Sequence, residues 1–543
     1  MRSPLSVARI GPWCLCALIA FAALALRTGQ LFYGLADADP LRTLRFAHPD
    51  EYGMALAIDR GYLRGSLDPG EFLNRGPAGF FVLGAYDSAA LRALELAGAP
   101  LSKDPDVFRN PGLLIGLHRC FAAACSLLAV WLCARVASEL AGPRAGWIAA
   151  ALAAVTYLAV REAHFGTVDA LFALLILALA LQLLRYVQRP EGARMVFAGA
   201  ALGAMVGIKY SAVLLAPALL GTSWLADRQG LSGALARRRA AAHLGLAALG
   251  AAVTFLALAP STLWSAHAIF ARVDHYRAQG LLDRSGAELV ASAAKLLRYS
   301  LGVGLGEPVC ALALLGLPLL WRRGASGRSL LALVAFSLPL ALLIRHDNVR
   351  YALPAVLLLV PVAAATLLQL VQGWPRPAIG IAVALVSAPS LARSWSFVDL
   401  LAREDTRLLA KQFLAREAAE RRVLFVGCFG LPEPDGLEHL ATVPGPVTIE
   451  EALRAEPEYI VFDLSWIEVQ RRPFRETWPE VARWYELAFE IDGRRDAELA
   501  LPDPIAGTPS FMVPFARPWA MHRPGPPLAI YRRIVAADAA ERR

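Results

Sequence analysis

Residues 167–184 read Thr-Val-Asp-Ala-Leu-Phe-Ala-Leu-Leu-Ile-Leu-Ala-Leu-Ala-Leu-Gln-Leu-Leu, with Arg185 directly behind. After Asp169 the run carries no charge, and its length approaches the ~20 residues a helix needs to cross the apolar core of a bilayer. An acid at the front of such a run and a base at its end predict a membrane span whose two ends face different surroundings. Ionisable groups at membrane depth are costly and usually face a cavity or a partner. The alternative for Asp169 is an acid placed for the helix dipole alone.

The same texture repeats along the chain. Ile10–Phe32, Leu113–Val136, Ala145–Val160, Leu244–Ala259, Pro308–Leu320, Ser329–Ile344, Tyr351–Leu370 and Ala378–Leu391 are almost free of charge. The 543 residues are 57% hydrophobic and 18% charged, against roughly 45–50% and 25% in soluble domains. This excludes a disordered chain, a nucleic-acid scaffold and an ordinary soluble enzyme. The net charge of +9 is carried wholly by the apolar part, because from Ser396 onward 19 Lys and Arg face 24 Asp and Glu. Basic excess of that kind marks loops on the cytoplasmic side. The cysteines lie mostly in apolar runs, with only Cys428 in the hydrophilic tail, so no disulfide framework holds that tail.

Charges set the topology. Arg2 and Arg9 precede the first run, and Ala23-Leu24-Ala25 resembles a cleavage site, yet the apolar stretch continues past it, so an uncleaved first span is expected. With that end inside, residues 34–110 form a long external segment. Arg185, Arg189 and Arg194 then return to the cytoplasm. Met195–Leu225 is long for one span and short for two; read as a hairpin with Lys209 at its outer tip, it keeps Arg237, Arg238 and Arg239 inside. The expectation is eleven spans, a second external loop over residues 260–302, and residues 1–395 as the membrane domain. Residues 396–543 read as an extracytoplasmic α/β domain. Val423–Gly427 and Tyr459–Asp463 are its buried strands, with a last strand near Leu528–Ile534.

Candidate chemistry gathers on the external side. Asp50 and Glu51 follow Pro49 shortly after the first span, and adjacent carboxylates can serve as a general base or hold a metal. An acidic pair after Pro is equally a common helix start. Arg161, Lys209, Arg345 and Arg350 fall on the face where basic residues are normally depleted, and Arg75 adds a fifth cation. Each alone reads as a headgroup-level anchor. Together, beside two membrane-edge acids, they suggest an anionic headgroup such as a phosphate. His48, His164, His267, His275 and His346 are also external, without metal-binding spacing. Tyr33, Trp264 and Trp395 read as interfacial aromatics.

In this order the motifs resemble the membrane-embedded GT-C glycosyltransferases of family 39, which include protein O-mannosyltransferases and lipid A aminoarabinose transferases. His48-Pro49-Asp50-Glu51 resembles the acidic motif of their first external loop, and Asn74-Arg75-Gly76-Pro77 their following "KPP"-type segment with Arg in place of Lys. Arg161-Glu162-Ala163-His164 through Asp169 resembles their second acidic motif. Gly207-Ile208-Lys209 is similar to their G-x-K hairpin, and Arg350-Tyr351-Ala352-Leu353-Pro354 to their R-Y-x-x-P segment.

The resemblance implies a polytopic α-helical GT-C protein with a C-terminal α/β domain, in the bacterial inner membrane with its site facing the periplasm. Its activity would be transfer of a sugar from a polyprenyl-phosphate donor to a protein, lipid or glycan acceptor, with inversion. Asp50 would be the base. Glu51 and Asp169 would arrange the acceptor, and Arg75, Arg161, Lys209, Arg350 and Tyr351 would bind the donor phosphate. A divalent metal would use Asp50, Glu51 and His164. The competing class is a transporter or flippase of an anionic lipid-linked substrate, which usually shows repeated halves; no repeat is visible here.

Overall fold

The computed structural model describes residues 10–35, 49–68, 70, 76–98, 112–230, 234–265, 285–342, 349–426, 438–443, 456–464, 484–493 and 515–534. The chain forms two compact units. The first comprises Met1–Leu31, Met54–Pro105 and Leu117–Trp395, and the second Phe32–Gly53, Asp106–Gly116 and Ser396–Arg543.

The first unit is helical. In chain order its helices are α1 (Ile10–Thr28), α2 (Pro49–Arg60), α3 (Ala78–Leu96), α4 (Gly112–Ala141), α5 (Pro143–Val155), α6 (Tyr157–Ala163), α7 (Asp169–Gln188), α8 (Gly192–Ile208), α9 (Ala216–Gly230) and α10 (Ala234–Leu258). These are followed by α11 (Gly286–Lys295), α12 (Glu307–Arg322), α13 (Gly324–Leu342), α14 (Leu353–Leu370) and α15 (Arg376–Leu401). Helices α2, α4 and α15 begin or end in the second unit. Among the described residues five helices are long and apolar enough to cross a membrane, or up to seven if each of two bent pairs is one span. Among the described residues, Cys16–Thr28 of α1, Gly192–Ile208 and Tyr210–Ala226, which the sequence reading counts toward eleven, are shorter apolar segments.

Helix α14 is central. Every residue from Leu353 to Leu367 is buried, as expected of a helix that is apolar all round and enclosed by others. Helices α8 and α10 touch backbone to backbone: a Cβ added at Gly199 would stand 1.9 Å from the Ala247 carbonyl oxygen, and one at Gly203 2.1 Å from that of Ala251. Only glycine allows that approach.

Helices α5 and α6 meet at a 55° bend, where the Ala153 carbonyl accepts from the Thr156 amide at 3.4 Å. The fully buried guanidinium of Arg27 also donates there, to the carbonyls of Ala154 at 2.7 Å and Ala153 at 3.0 Å. Buried backbone acceptors demand such partners. At the far end of α7, Arg185 Nε lies 2.9 Å from Glu139 Oε1, and Arg323 donates to the Leu140 carbonyl at 3.0 Å. The ends of α4, α7 and α12 thus share one charged level, about 24 Å along α7 from Asp169.

In the second unit, α16 (Thr406–Glu417) packs on a five-stranded sheet of order β2-β1-β3-β5-β4. The strands are β1 (Arg422–Val426), β2 (Glu438–Val443), β3 (Tyr459–Asp463), β4 (Tyr485–Ile491) and β5 (Leu528–Arg533). Strands β2, β1 and β3 are parallel, whereas β5 pairs antiparallel with β3 and β4. The sequence reading names the three inner strands. The two edge strands escape it because their polar residues interrupt the continuous apolar run that marks a buried strand.

Leu414, Val423, Phe425, Val461 and Ile530 form the core, and Phe413 stacks on Phe489 with ring centroids 4.7 Å apart. Asp405 caps α16, accepting from the Arg407 amide at 2.8 Å and from its guanidinium Nε at 2.9 Å. Tyr33 corrects one expectation. It is buried and donates its hydroxyl to Asp405, so it is an anchor within this unit and not an interfacial aromatic.

Candidate active site

Three breaks in helical structure bring the site's side chains together. Helix α7 starts at Asp169, where a carboxylate is favoured by the helix dipole. Helix α8 ends at Ile208, and Lys209 is extended, with φ −145° and ψ 112°, before the chain tightens into a 3-10 turn over Tyr210–Leu215. A second 3-10 turn, Val349–Ala352, precedes α14 and presents Arg350 and Tyr351.

The geometry centres on Asp169, which is buried. Lys209 Nζ donates to its Oδ1. Arg350 Nε lies 3.9 Å from its Oδ2, an ion pair beyond hydrogen-bond length. Thr167 Oγ1 donates to Oδ2 at 3.2 Å. The ammonium of Lys209 also sits 4.8 Å from the Tyr351 ring centroid and 5.7 Å from that of Phe172, with Arg350 Cζ 5.6 Å from the Tyr351 centroid. Such cation–π contacts direct the cations while leaving their donors usable. Lys209 keeps 24% side-chain exposure against 7% for Asp169, so the cation is the more accessible partner.

Beside this cluster, Arg161 donates to Glu162 and lies 5.2 Å from the Phe165 ring centroid. Glu162 is 1% exposed, and among the described residues its Oε2 has no hydrogen-bond partner. It interacts electrostatically with Asp169 and Arg350. Sequence reasoning quoted Glu162 in a motif but gave it no role. Neighbouring residues on a helix do not normally face each other, so only the helix end makes this pair. Arg161, Lys209 and Arg350 against Asp169 and Glu162 leave one net positive charge.

The other expected residues fall elsewhere. Asp50 and Glu51 belong to the second unit, in the first turn of α2, where Glu51 is fully buried and Asp50 partly exposed. Arg75, Arg345, His48, His267, His275 and His346 lie outside the described residues. His164 does not fit the metal reading. Its Nδ1 and Nε2 are each 2.8 Å from a backbone carbonyl oxygen, of Val160 and Gly29 respectively, so the ring ties α6 to the end of α1. Among the described residues no group of three or more His, Cys, Asp or Glu is placed to hold a metal.

The fold is shared with solved structures of an archaeal oligosaccharyltransferase and of ArnT. Residues 117–264 match the family model described as dolichyl-phosphate-mannose-protein mannosyltransferase; that segment includes Arg161, Asp169 and Lys209. An oligosaccharyltransferase of Archaeoglobus fulgidus, in complex with Zn and sulfate, is similar in structure with TM-score 0.56 and 12% identity, over 96% of this chain and 88% of that one. The archaeal oligosaccharyltransferase AglB from the same organism, with an inhibitory peptide and a dolichol-phosphate, gives TM-score 0.52 and 13% identity over 94% and 77%. ArnT from Cupriavidus metallidurans in the apo state gives TM-score 0.50 and 16% identity over 96% and 98%. No curated protein matches the chain in sequence.

Proposed function

We propose that this protein is an integral membrane glycosyltransferase that moves a sugar from a polyprenyl-phosphate-linked donor to an acceptor hydroxyl on the extracytoplasmic face, with inversion at the anomeric carbon. The observation that carries this reading is the cluster in which Lys209, Arg350 and Tyr351 converge on Asp169 with Arg161 alongside. An ammonium has three donors and a guanidinium five, so cations that serve one carboxylate can also hold a phosphate. The eleven-span topology, with residues 396–543 outside as a soluble domain, belongs to the same proposal.

In the reaction, the acceptor oxygen attacks the anomeric carbon as the bond to the phosphate oxygen breaks. Asp50 takes the acceptor proton, and the electron pair leaves on the carrier phosphate. Lys209, Arg350 and Arg161, with Arg75, meet that developing charge, and Tyr351 fixes the direction of the first two. Donors already aimed where charge appears are the largest usual source of rate enhancement. Asp169 and Glu162 hold those cations in place before the donor arrives, and Glu51 orients the acceptor beside Asp50. A divalent ion would draw on Asp50 and Glu51, without His164, and would supply charge to the acceptor oxygen or the phosphate. The sugar and the acceptor, whether protein, lipid or glycan, are left to experiment.

The test is to give membranes containing the protein a labelled polyprenyl-phosphate sugar, and to compare wild type with Asp50→Asn and Lys209→Met. Release of carrier phosphate by wild type and by neither variant is expected. Movement of the intact donor across the bilayer without sugar transfer would replace the enzyme with the transporter.

A further inference from the structure

Helix α3 meets α4 at its middle through a polar contact that the proposed chemistry does not use. Asp87 and His118 are both fully buried, with Asp87 Oδ2 2.7 Å from His118 Nε2. Among the described residues, Asp87 Oδ1 and His118 Nδ1 have no hydrogen-bond partner. A buried pair with two orphan atoms is a poor means of stabilisation, since matched apolar side chains usually do as well or better. What a directional contact does supply is one defined seating of α3.

That seating matters at the other end of the helix. Gly76 has φ +120°, and a Cβ there would stand 2.2 Å from the Ile208 carbonyl oxygen. A Cβ at Gly79 would stand 2.9 Å from Val168 Cγ1, and one at Gly207 2.8 Å from Ala78 Cβ. Val168 and Ile208 are the residues immediately before Asp169 and Lys209. The start of α3 therefore abuts the two backbone segments that carry both halves of the ion pair, about 14 Å along the helix from Asp87. Phe80 and Leu83 complete the seat, packed with Met54 and Ile58 of α2 and with Phe121 of α4.

We propose that Asp87 and His118 are positioning residues for the anion site: by fixing how α3 seats on α4, they hold its glycine end against Val168 and Gly207–Ile208 and so set the Asp169–Lys209 geometry that the donor phosphate meets. This rests on the reading of that cluster as the donor-phosphate site.

The seating is measurable without substrate. A Cβ built on Gly79 lies 3.8 Å from Val168 Cβ, the usual spacing across a disulfide. In the full-length protein in membranes, the Gly79→Cys/Val168→Cys pair is oxidised and the cross-linked peptide quantified by mass spectrometry. The expected result is efficient cross-linking with His118 present, a several-fold lower yield in His118→Leu, and recovery in His118→Gln, whose amide retains an N–H near the Nε2 position.

In transfer assays without the added cysteines, His118→Leu should raise donor KM about tenfold with kcat little changed. His118→Gln should lie near wild type, and the oxidised cysteine pair should bring His118→Leu back toward it. An unchanged disulfide yield in His118→Leu overturns the seating, and a lowered yield with unchanged donor KM overturns its link to the site. If His118→Leu does not fold, Asp87→Ala, which removes the acceptor, takes its place with the same expected and overturning results. A wild-type protein that cross-links but transfers no sugar would sink the assignment to a donor site while leaving the seating established.

Discussion

At Asp169 two cations serve one carboxylate, and that imbalance sets what each substitution does. Under the proposed reaction, Lys209→Met removes the more accessible cation, so turnover should fall about 10²–10³-fold, the usual effect of losing one preorganised donor to developing charge, measured as carrier-phosphate release. Asp169→Asn removes the anion that competes for Lys209 and Arg350. The isolated carrier phosphate should then bind at least as tightly in a nanodisc titration, while turnover falls because the cations are no longer held. Weaker binding in Asp169→Asn would contradict the assigned role. In the second unit, Asp405→Ala strips the cap from α16 and leaves the buried Arg407 without its carboxylate. Breaking a buried pair from one side costs about 3–5 kcal/mol, so a large drop in that unit's melting temperature is expected.

Between elements, contacts are decided by atoms that glycine lacks. Gly203→Val would push a side chain into the Ala251 backbone, and α8 and α10 must separate or the protein must fail to assemble. A Cβ added at Gly221 of α9 meets nothing within 4 Å. Gly221→Ala should therefore stabilise by about 0.5–1 kcal/mol through helix propensity. Thermal denaturation in detergent separates the two outcomes. Most elements were legible in the sequence: the apolar runs became helices, and the acid opening α7 did mark a helix start. The break at Lys209 was legible too, because Gly207, Lys209 and Pro217 disrupt a stretch too long for one span. The edge strands β2 and β4 were not, since a strand paired on one side needs no continuous apolar run. Nor was the Tyr33–Asp405 contact, which joins residues far apart in the chain and leaves no periodic trace.

On the scale of the whole molecule, charge is divided between the two ends of the helical unit, with Arg185, Glu139 and Arg323 at one level and Asp169 at the opposite end of α7. The sheet-bearing unit answers to pH in its own way. Burial raises the Tyr485 phenol to about 12, and burial together with Asp405 raises Tyr33 as well. Below pH 10 both phenols are protonated in the folded and unfolded chains, and the stability from this source is complete. Between about pH 10 and 12 the unfolded chain loses protons that the folded one keeps, so stability falls as pH rises. Denaturant unfolding of the full-length protein across that window should show the decline, and Tyr485→Phe should flatten it.

The sequence by itself determined that the chain carries apolar runs fit to cross a membrane, where its charges stop each run, and which residue types stand at the run ends. Those properties follow from local composition and from the cost of charge in hydrocarbon. Only the tertiary structure decided which of those residues meet. It joined Asp169, Lys209, Arg350 and Tyr351 from three separate helix breaks, turned His164 inward onto two carbonyls, and gave Glu162 its arginine. Pairing across forty residues or more depends on how helices cross and how closely glycine lets them approach, and spacing along the chain does not encode that.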